Sequence, residues 1–188
     1  MTEAHAQGFA VCVFCGAKPG RDPAYAELAR SAGRAIARRG WRFIYGGGSL
    51  GLMGAAADAA LAEGAEVIGV IPEGMLAREQ GHRSLTRLEV VSDMAVRKTR
   101  MIALADAFLI LPGGLGTMDE LFEVLTLRQT RYLDKPIALL NSRGYYDRLL
   151  AMCEGFVAEG FVAPADLSPL ICSPDLETLL EQLTPLRA

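Results

Sequence analysis

The chain has 188 residues, 51% hydrophobic and 22% charged, with a formal net charge of −3. This is enough to bury a core without disulfides or metal, in one domain of ordinary size. The negative balance and the lack of a long basic run exclude nucleic acid and anionic membrane as main partners, because both require a positive field.

Residues 1–8 are polar, lack the basic-then-apolar layout of a secretion leader and are expected to be disordered. Residues 9–14 are a continuous apolar run, read as a strand buried on both faces. Cys12 and Cys15 stand three apart there, on opposite faces, which is poor geometry for chelating a metal. Four cysteines in a chain of this size point to a reducing, cytoplasmic compartment. A helix over 23–39 starts with Asp22 as N-cap and Pro23 at its first position, and stops at Gly40. A strand over 41–45, a helix over 50–63 closed by Gly64 and a strand over 66–71 follow. Residues 73–86 show no clear pattern but carry Arg78, Glu79, His82 and Arg83, so they are read as a lid or interface segment. Strands over 88–91, 107–111, 136–140 and 170–172 then alternate with helices over 94–103, 117–128, 145–159 and 174–183. No apolar stretch is long enough to cross a bilayer. The alternation predicts an α/β fold: one doubly wound, Rossmann-like parallel sheet with helices on both faces, in a single domain over 1–188.

In such a sheet ligands bind at the carboxyl ends of the strands, where the strand order reverses. Three of those ends carry glycine-rich turns: Cys15-Gly16-Ala17-Lys18-Pro19-Gly20, Gly46-Gly47-Gly48-Ser49-Leu50-Gly51 and Pro112-Gly113-Gly114-Leu115-Gly116-Thr117. The last two lead into helices, whose free N–H groups and partial positive charge suit a phosphate. The second matches G-x-G-x-x-G through Gly46, Gly48 and Gly51, but it follows the second predicted strand rather than the first. Glu73, near the end of the next strand, keeps a dinucleotide reading open. A P-loop is excluded, since no Gly-Lys-Ser or Gly-Lys-Thr occurs. Arg97 and Lys98 fall at the start of a predicted helix, where cations are costly unless an anion compensates. Thr117 is expected to cap the next helix, with Glu120 and Glu123 on its side at spacing three. A carboxylate beneath a phosphate nest, with Arg97 and Lys98 beside it, can hold a phosphorylated sugar and act on it.

Pro112-Gly113-Gly114-Leu115-Gly116-Thr117-Met118-Asp119-Glu120 is similar to the P-G-G-x-G-T-x-x-E signature of the LONELY GUY family of phosphoribohydrolases. Met94-Ala95-Val96-Arg97-Lys98 resembles the family's M-x-x-R-K element, and the second glycine turn and residues 67–72 resemble its corresponding parts. The resemblance implies hydrolysis of N6-modified adenosine 5′-monophosphates, and often AMP, to free base and ribose 5-phosphate. It also implies a homodimer and no metal or organic cofactor. Catalysis would depend on Arg97 and Glu120. Substrate contacts would fall on Glu79, Arg97, Lys98, Gly113, Gly114, Leu115, Gly116, Thr117, Met118, Asp119, Glu120 and Thr126, with Gly16, Gly47 and Met94 completing the set. The chain departs from the family in its first loop, Cys-Gly-Ala-Lys in place of Cys-Gly-Ser-Ser. It also has Asp119 in place of Glu, and Ala95-Val96 in place of His-Glu. The alternatives weighed are a non-catalytic nucleotide or cofactor carrier on the same fold and an NAD-dependent oxidoreductase.

Overall fold

The computed structural model describes residues 8–76 and 80–183. All five residues of β1 (Ala10–Phe14) are buried. They alternate between two apolar layers, Val11 and Val13 on one side and Ala10, Cys12 and Phe14 on the other. Then come α1 (Ala24–Arg38), β2 (Arg42–Tyr45), α2 (Gly51–Ala62), β3 (Val67–Pro72), β4 (Arg87–Val91), α3 (Met94–Leu104), β5 (Ala107–Ile110) and α4 (Leu115–Gln129). The chain continues through β6 (Ile137–Leu140), α5 (Asp147–Ala158), α6 (Pro164–Leu167), β7 (Leu170–Ser173) and α7 (Leu176–Leu183). The strands form one sheet in the order β4-β3-β2-β1-β5-β6-β7, and every pairing is parallel.

This is the doubly wound sheet expected from the alternation. Side chains of α1, α2 and α7 cover one face, and those of α3, α4 and the turn into α5 cover the other. The helices of the first face approach closely: a Cβ on Gly33 of α1 would lie 2.1 Å from the Ala56 carbonyl oxygen of α2. Cys12 and Cys15 belong to opposite layers, as the strand periodicity requires. The first two helices end as read, with Gly40 and Gly64 at φ of +70° and +83°. Helix α1 begins at Ala24 rather than Pro23, while the Asp22 carboxylate still accepts from the Ala24 N–H at 2.9 Å. Among the described residues no helix is long and apolar enough to cross a membrane.

Two local readings change. Helix α4 starts at Leu115 with Gly114 as its N-cap, so Thr117 is not the cap but a buried first-turn residue. The stretch 73–86 is laid against the second glycine turn. His82 N–H donates to the Gly47 carbonyl at 2.9 Å and Ser49 N–H to that of Gln80 at 3.1 Å, and Gly48 and Gly81 form an antiparallel bridge. Met1 to Gln7 and the loop residues Arg78 and Glu79 lie outside the described residues.

Candidate active site

From β1 the chain steps outward through β2, β3 and β4, then returns across the sheet to β5. The order therefore reverses between β1 and β5, and a crevice must open at their carboxyl ends. A cleft of about 520 Å³ lies there, walled by the turn after β1 and the turn after β5. The two turns touch: Gly16 N–H donates to the Pro112 carbonyl at 3.1 Å, and a Cβ on Gly16 would stand 3.4 Å from the Gly113 Cα.

The turn after β5 supplies the N-terminus of α4. Its glycines are not equivalent. A Cβ on Gly113 would lie 2.1 Å from the Thr117 hydroxyl oxygen, so packing alone explains that residue. Among the described residues a Cβ on Gly114 or Gly116 would meet nothing within 4 Å, and neither has a positive φ. What these two preserve is open space before the main-chain N–H groups of the first helical turn. Thr117 and Glu120 line the cleft behind that opening.

Arg97 reaches the same cleft from α3. It is buried, and its guanidinium donates through Nε to the Val70 carbonyl at 3.0 Å and through Nη2 to the Gly46 carbonyl at 2.7 Å. The helix start that seemed costly for a cation is compensated by Asp93, whose carboxylate accepts from Val96 N–H at 2.9 Å. That hydrogen bond holds the Asp93 carboxyl below its ordinary pKa. Burial, followed by the nearby Glu120 charge, pushes the Cys12 and Cys15 thiols up, so neither is primed as a nucleophile.

Glu120, Arg97, Met94, Gly16 and the turn from Gly113 to Thr117 thus meet at one cleft. Other expected contacts do not line it in the single chain. Lys98 is paired with Asp119 and Glu123 on the outer side of α3 and α4, which raises its pKa, with Glu123 the larger cause. Met118 packs against the core, and Thr126 is exposed. Gly47 is buried with φ of +77°, and a Cβ there would lie 3.2 Å from Ile71 and 3.1 Å from Leu88. The first and last glycines of the G-x-G-x-x-G turn are hemmed in as well. A Cβ on Gly46 would strike the Arg97 guanidinium at 2.0 Å, and one on Gly51 the Ala17 carbonyl at 2.4 Å. These glycines serve packing, and Glu73 sits exposed in a 3-10 turn away from the cleft, so the dinucleotide reading loses its support.

A family model described as "Possible lysine decarboxylase" matches residues 53–183. The cytokinin riboside 5′-monophosphate phosphoribohydrolase of Rhodococcoides fascians is 50% identical over 168 residues, covering 89% of this chain and 85% of that protein. This chain belongs to the LONELY GUY family. Cytokinin riboside 5′-monophosphate phosphoribohydrolase LOG7 of Arabidopsis thaliana is 40% identical to the LONELY GUY chain, over 92% of it and 80% of the relative. Among solved structures, the molybdenum cofactor binding protein of Rippkaea orientalis matches with a TM-score of 0.71 at 20% identity, over 95% of this chain and 96% of the other. That last likeness is one of fold. Of the lysines, Lys98 is engaged by two carboxylates and Lys135 donates to the Ile102 carbonyl at 2.8 Å, while Lys18 borders the cleft.

Sequence reasoning missed part of the lining of this LONELY GUY cleft. Met53 and Met75 come from α2 and from the turn after β3, and Met75 and Met94 bring their sulfurs to 4.0 and 3.6 Å from Arg97 Nη1. Tyr25 and Tyr145 pack edge to face at 5.6 Å on the opposite side, and the Tyr145 hydroxyl donates to the Gly113 carbonyl at 2.7 Å. No motif announces these residues, because each belongs to a different segment and only the fold gathers them.

Proposed function

We propose that this LONELY GUY chain hydrolyses the N-glycosidic bond of adenosine 5′-monophosphates, N6-modified or plain, to the free base and ribose 5-phosphate. The carrying observation is that Glu120 and Arg97 border one cleft with the open-fronted glycines Gly114 and Gly116. The relatives' names supply the substrate class. The 5′-phosphate sits at the N-terminus of α4, where main-chain N–H groups and the helix dipole favour an anion.

With the phosphate anchored there, the ribose lies near Glu120. The bond from C1′ to the purine nitrogen breaks as the sugar takes on positive charge. Water adds its oxygen to C1′ and its proton ends on the departing base. Glu120 stabilises the sugar cation and takes a proton from the water. Arg97, fixed by two carbonyls, keeps one edge of its guanidinium at the cleft wall to orient substrate beside Glu120.

The working form is read as a cytoplasmic homodimer. Val90, Met94 and Val96 are exposed apolar side chains on neighbouring elements, β4 and α3, and suit a partner chain. A second chain there would also give a use to the expected contacts Lys98, Asp119 and Thr126, and to Glu79. Incubation with AMP and an N6-alkyl AMP, scored for free base and ribose 5-phosphate, tests the activity. Equal turnover of adenosine and AMP, or no base release from any monophosphate, would refute it. Light scattering at micromolar concentration tests the dimer, and a fully active monomer counts against it.

A further inference from the structure

We infer that Lys18 is a second anion contact in this cleft, gripping the 5′-phosphate and setting the preference for phosphorylated over unphosphorylated nucleosides. The inference rests on the reading of the cleft as a nucleotide site, and it adds a residue that this reading does not require.

Lys18 borders the cleft. Among the described residues its ammonium group has no hydrogen bond or ion pair, while the neighbouring cations Arg97 and Lys98 are both engaged. The backbone beneath it is held on two sides. Gly16 N–H bonds the Pro112 carbonyl at 3.1 Å, and Leu52 N–H bonds the Gly16 carbonyl at 3.0 Å. Gly51, at φ of +62°, lies so close that a Cβ would stand 2.4 Å from the Ala17 carbonyl. Pro19 further restricts Lys18 to extended backbone. The result is a four-carbon cationic arm on a fixed base, bordering the same cleft as Gly114 and Gly116.

The charge balance decides what the arm is for. A phosphomonoester near neutral pH carries about −1.5 to −2, whereas a helix N-terminus offers roughly +0.5. Arg97 and Glu120 in the same cleft have opposite charges of equal size. For the remaining negative charge of the phosphate, Lys18 is the one uncommitted cation bordering the cleft among the described residues.

The test compares the wild-type chain with Lys18→Gln and Lys18→Arg, using AMP and adenosine at low and high salt. A charge-assisted contact at an exposed position is worth about tenfold in affinity, and salt weakens it. Lys18→Gln should therefore raise KM for AMP about tenfold at low salt and lower the AMP-over-adenosine ratio of kcat/KM by a similar factor. The effect should fall on KM rather than kcat, shrink at high salt, and be largely rescued by Lys18→Arg. An AMP KM for Lys18→Gln within about twofold of wild type at low salt would overturn the assignment. If the wild-type chain released no base, the hydrolase reading would fail by itself. Calorimetric affinities for AMP and ribose 5-phosphate would then judge Lys18: weaker binding by the Gln variant supports the contact, and equal binding overturns it.

Discussion

The hydroxyl of Tyr146 donates to the carbonyl of Leu111 across 2.6 Å, and both residues are buried. Leu111 is the residue at which β5 gives way to the glycine turn, so this bond fixes the direction in which the turn leaves the sheet. Burial pushes the Tyr146 hydroxyl well above its ordinary pKa, which keeps it a neutral donor. Replacing it with Phe leaves the Leu111 carbonyl without this partner and should cost about 1–3 kcal/mol of stability. Urea unfolding of Tyr146→Phe measures the cost. An unchanged midpoint would mean that the turn is held by other contacts.

Glu120→Gln separates chemistry from helix electrostatics. A carboxylate that activates water and steadies the sugar cation should cost kcat on the order of 10²–10⁴ when neutralised, with AMP binding retained. Glu123→Gln is the control. Its carboxylate pairs with Lys98 outside the cleft, and losing that partly exposed pair should cost about 1 kcal/mol or less. Near-normal kcat in the Glu120 variant would move the catalytic carboxylate elsewhere.

Arg97 should be costly to remove for two reasons. Its guanidinium bonds the carbonyls of Gly46 and Val70, joining the turn after β2 to β3 at the cleft. Arg97→Ala should lose base release and also roughly 2–4 kcal/mol of stability, from two carbonyls left without these donors. Thermal unfolding alongside activity distinguishes this from a purely catalytic role, in which the melting temperature would hold.

The two adjacent glycines of the turn give a sharper contrast. Gly113→Ala places a methyl 2.1 Å from the Thr117 hydroxyl oxygen and should lower stability measurably. Gly114→Ala meets no neighbour among the described residues, so it should fold normally and raise KM for AMP by crowding the phosphate. Equal stability losses in both variants would show that Gly114 is structural after all.

The sheet was legible because several of its strands are continuous apolar runs and its helices alternate with them; β1 and β5 were each placed within a residue or so. The four-residue α6 was not, since so short a helix carries no periodicity. The cap of α4 was misplaced because a glycine at the helix start leaves no side-chain signature, whereas Thr117 offers one. Arg97 and Glu120 could be singled out from spacing and dipole arguments. The bonds that make Arg97 a tie between the turn after β2 and β3 could not, because Gly46 lies 51 residues and Val70 27 residues away in the chain. The second glycine turn misled for a related reason. Its pattern is that of a ligand loop, but the neighbours filling it come from β3, β4, α3 and the turn after β1.

The pairing of β1 with β5 also bears on how the protein reaches its working form. Val11 stands against Ala107, and Ala10 N–H bonds the Asp106 carboxylate 96 residues away. The two walls of the cleft therefore meet only after a long loop has closed, a non-local step whose entropy must be met before the contacts can repay it. A nascent chain that has folded through β4 holds the second glycine turn in place and still has no pocket. Catalytic competence then arrives with late docking, and lesions that slow the closure of β5 onto β1 delay its appearance even where every residue of the site is intact.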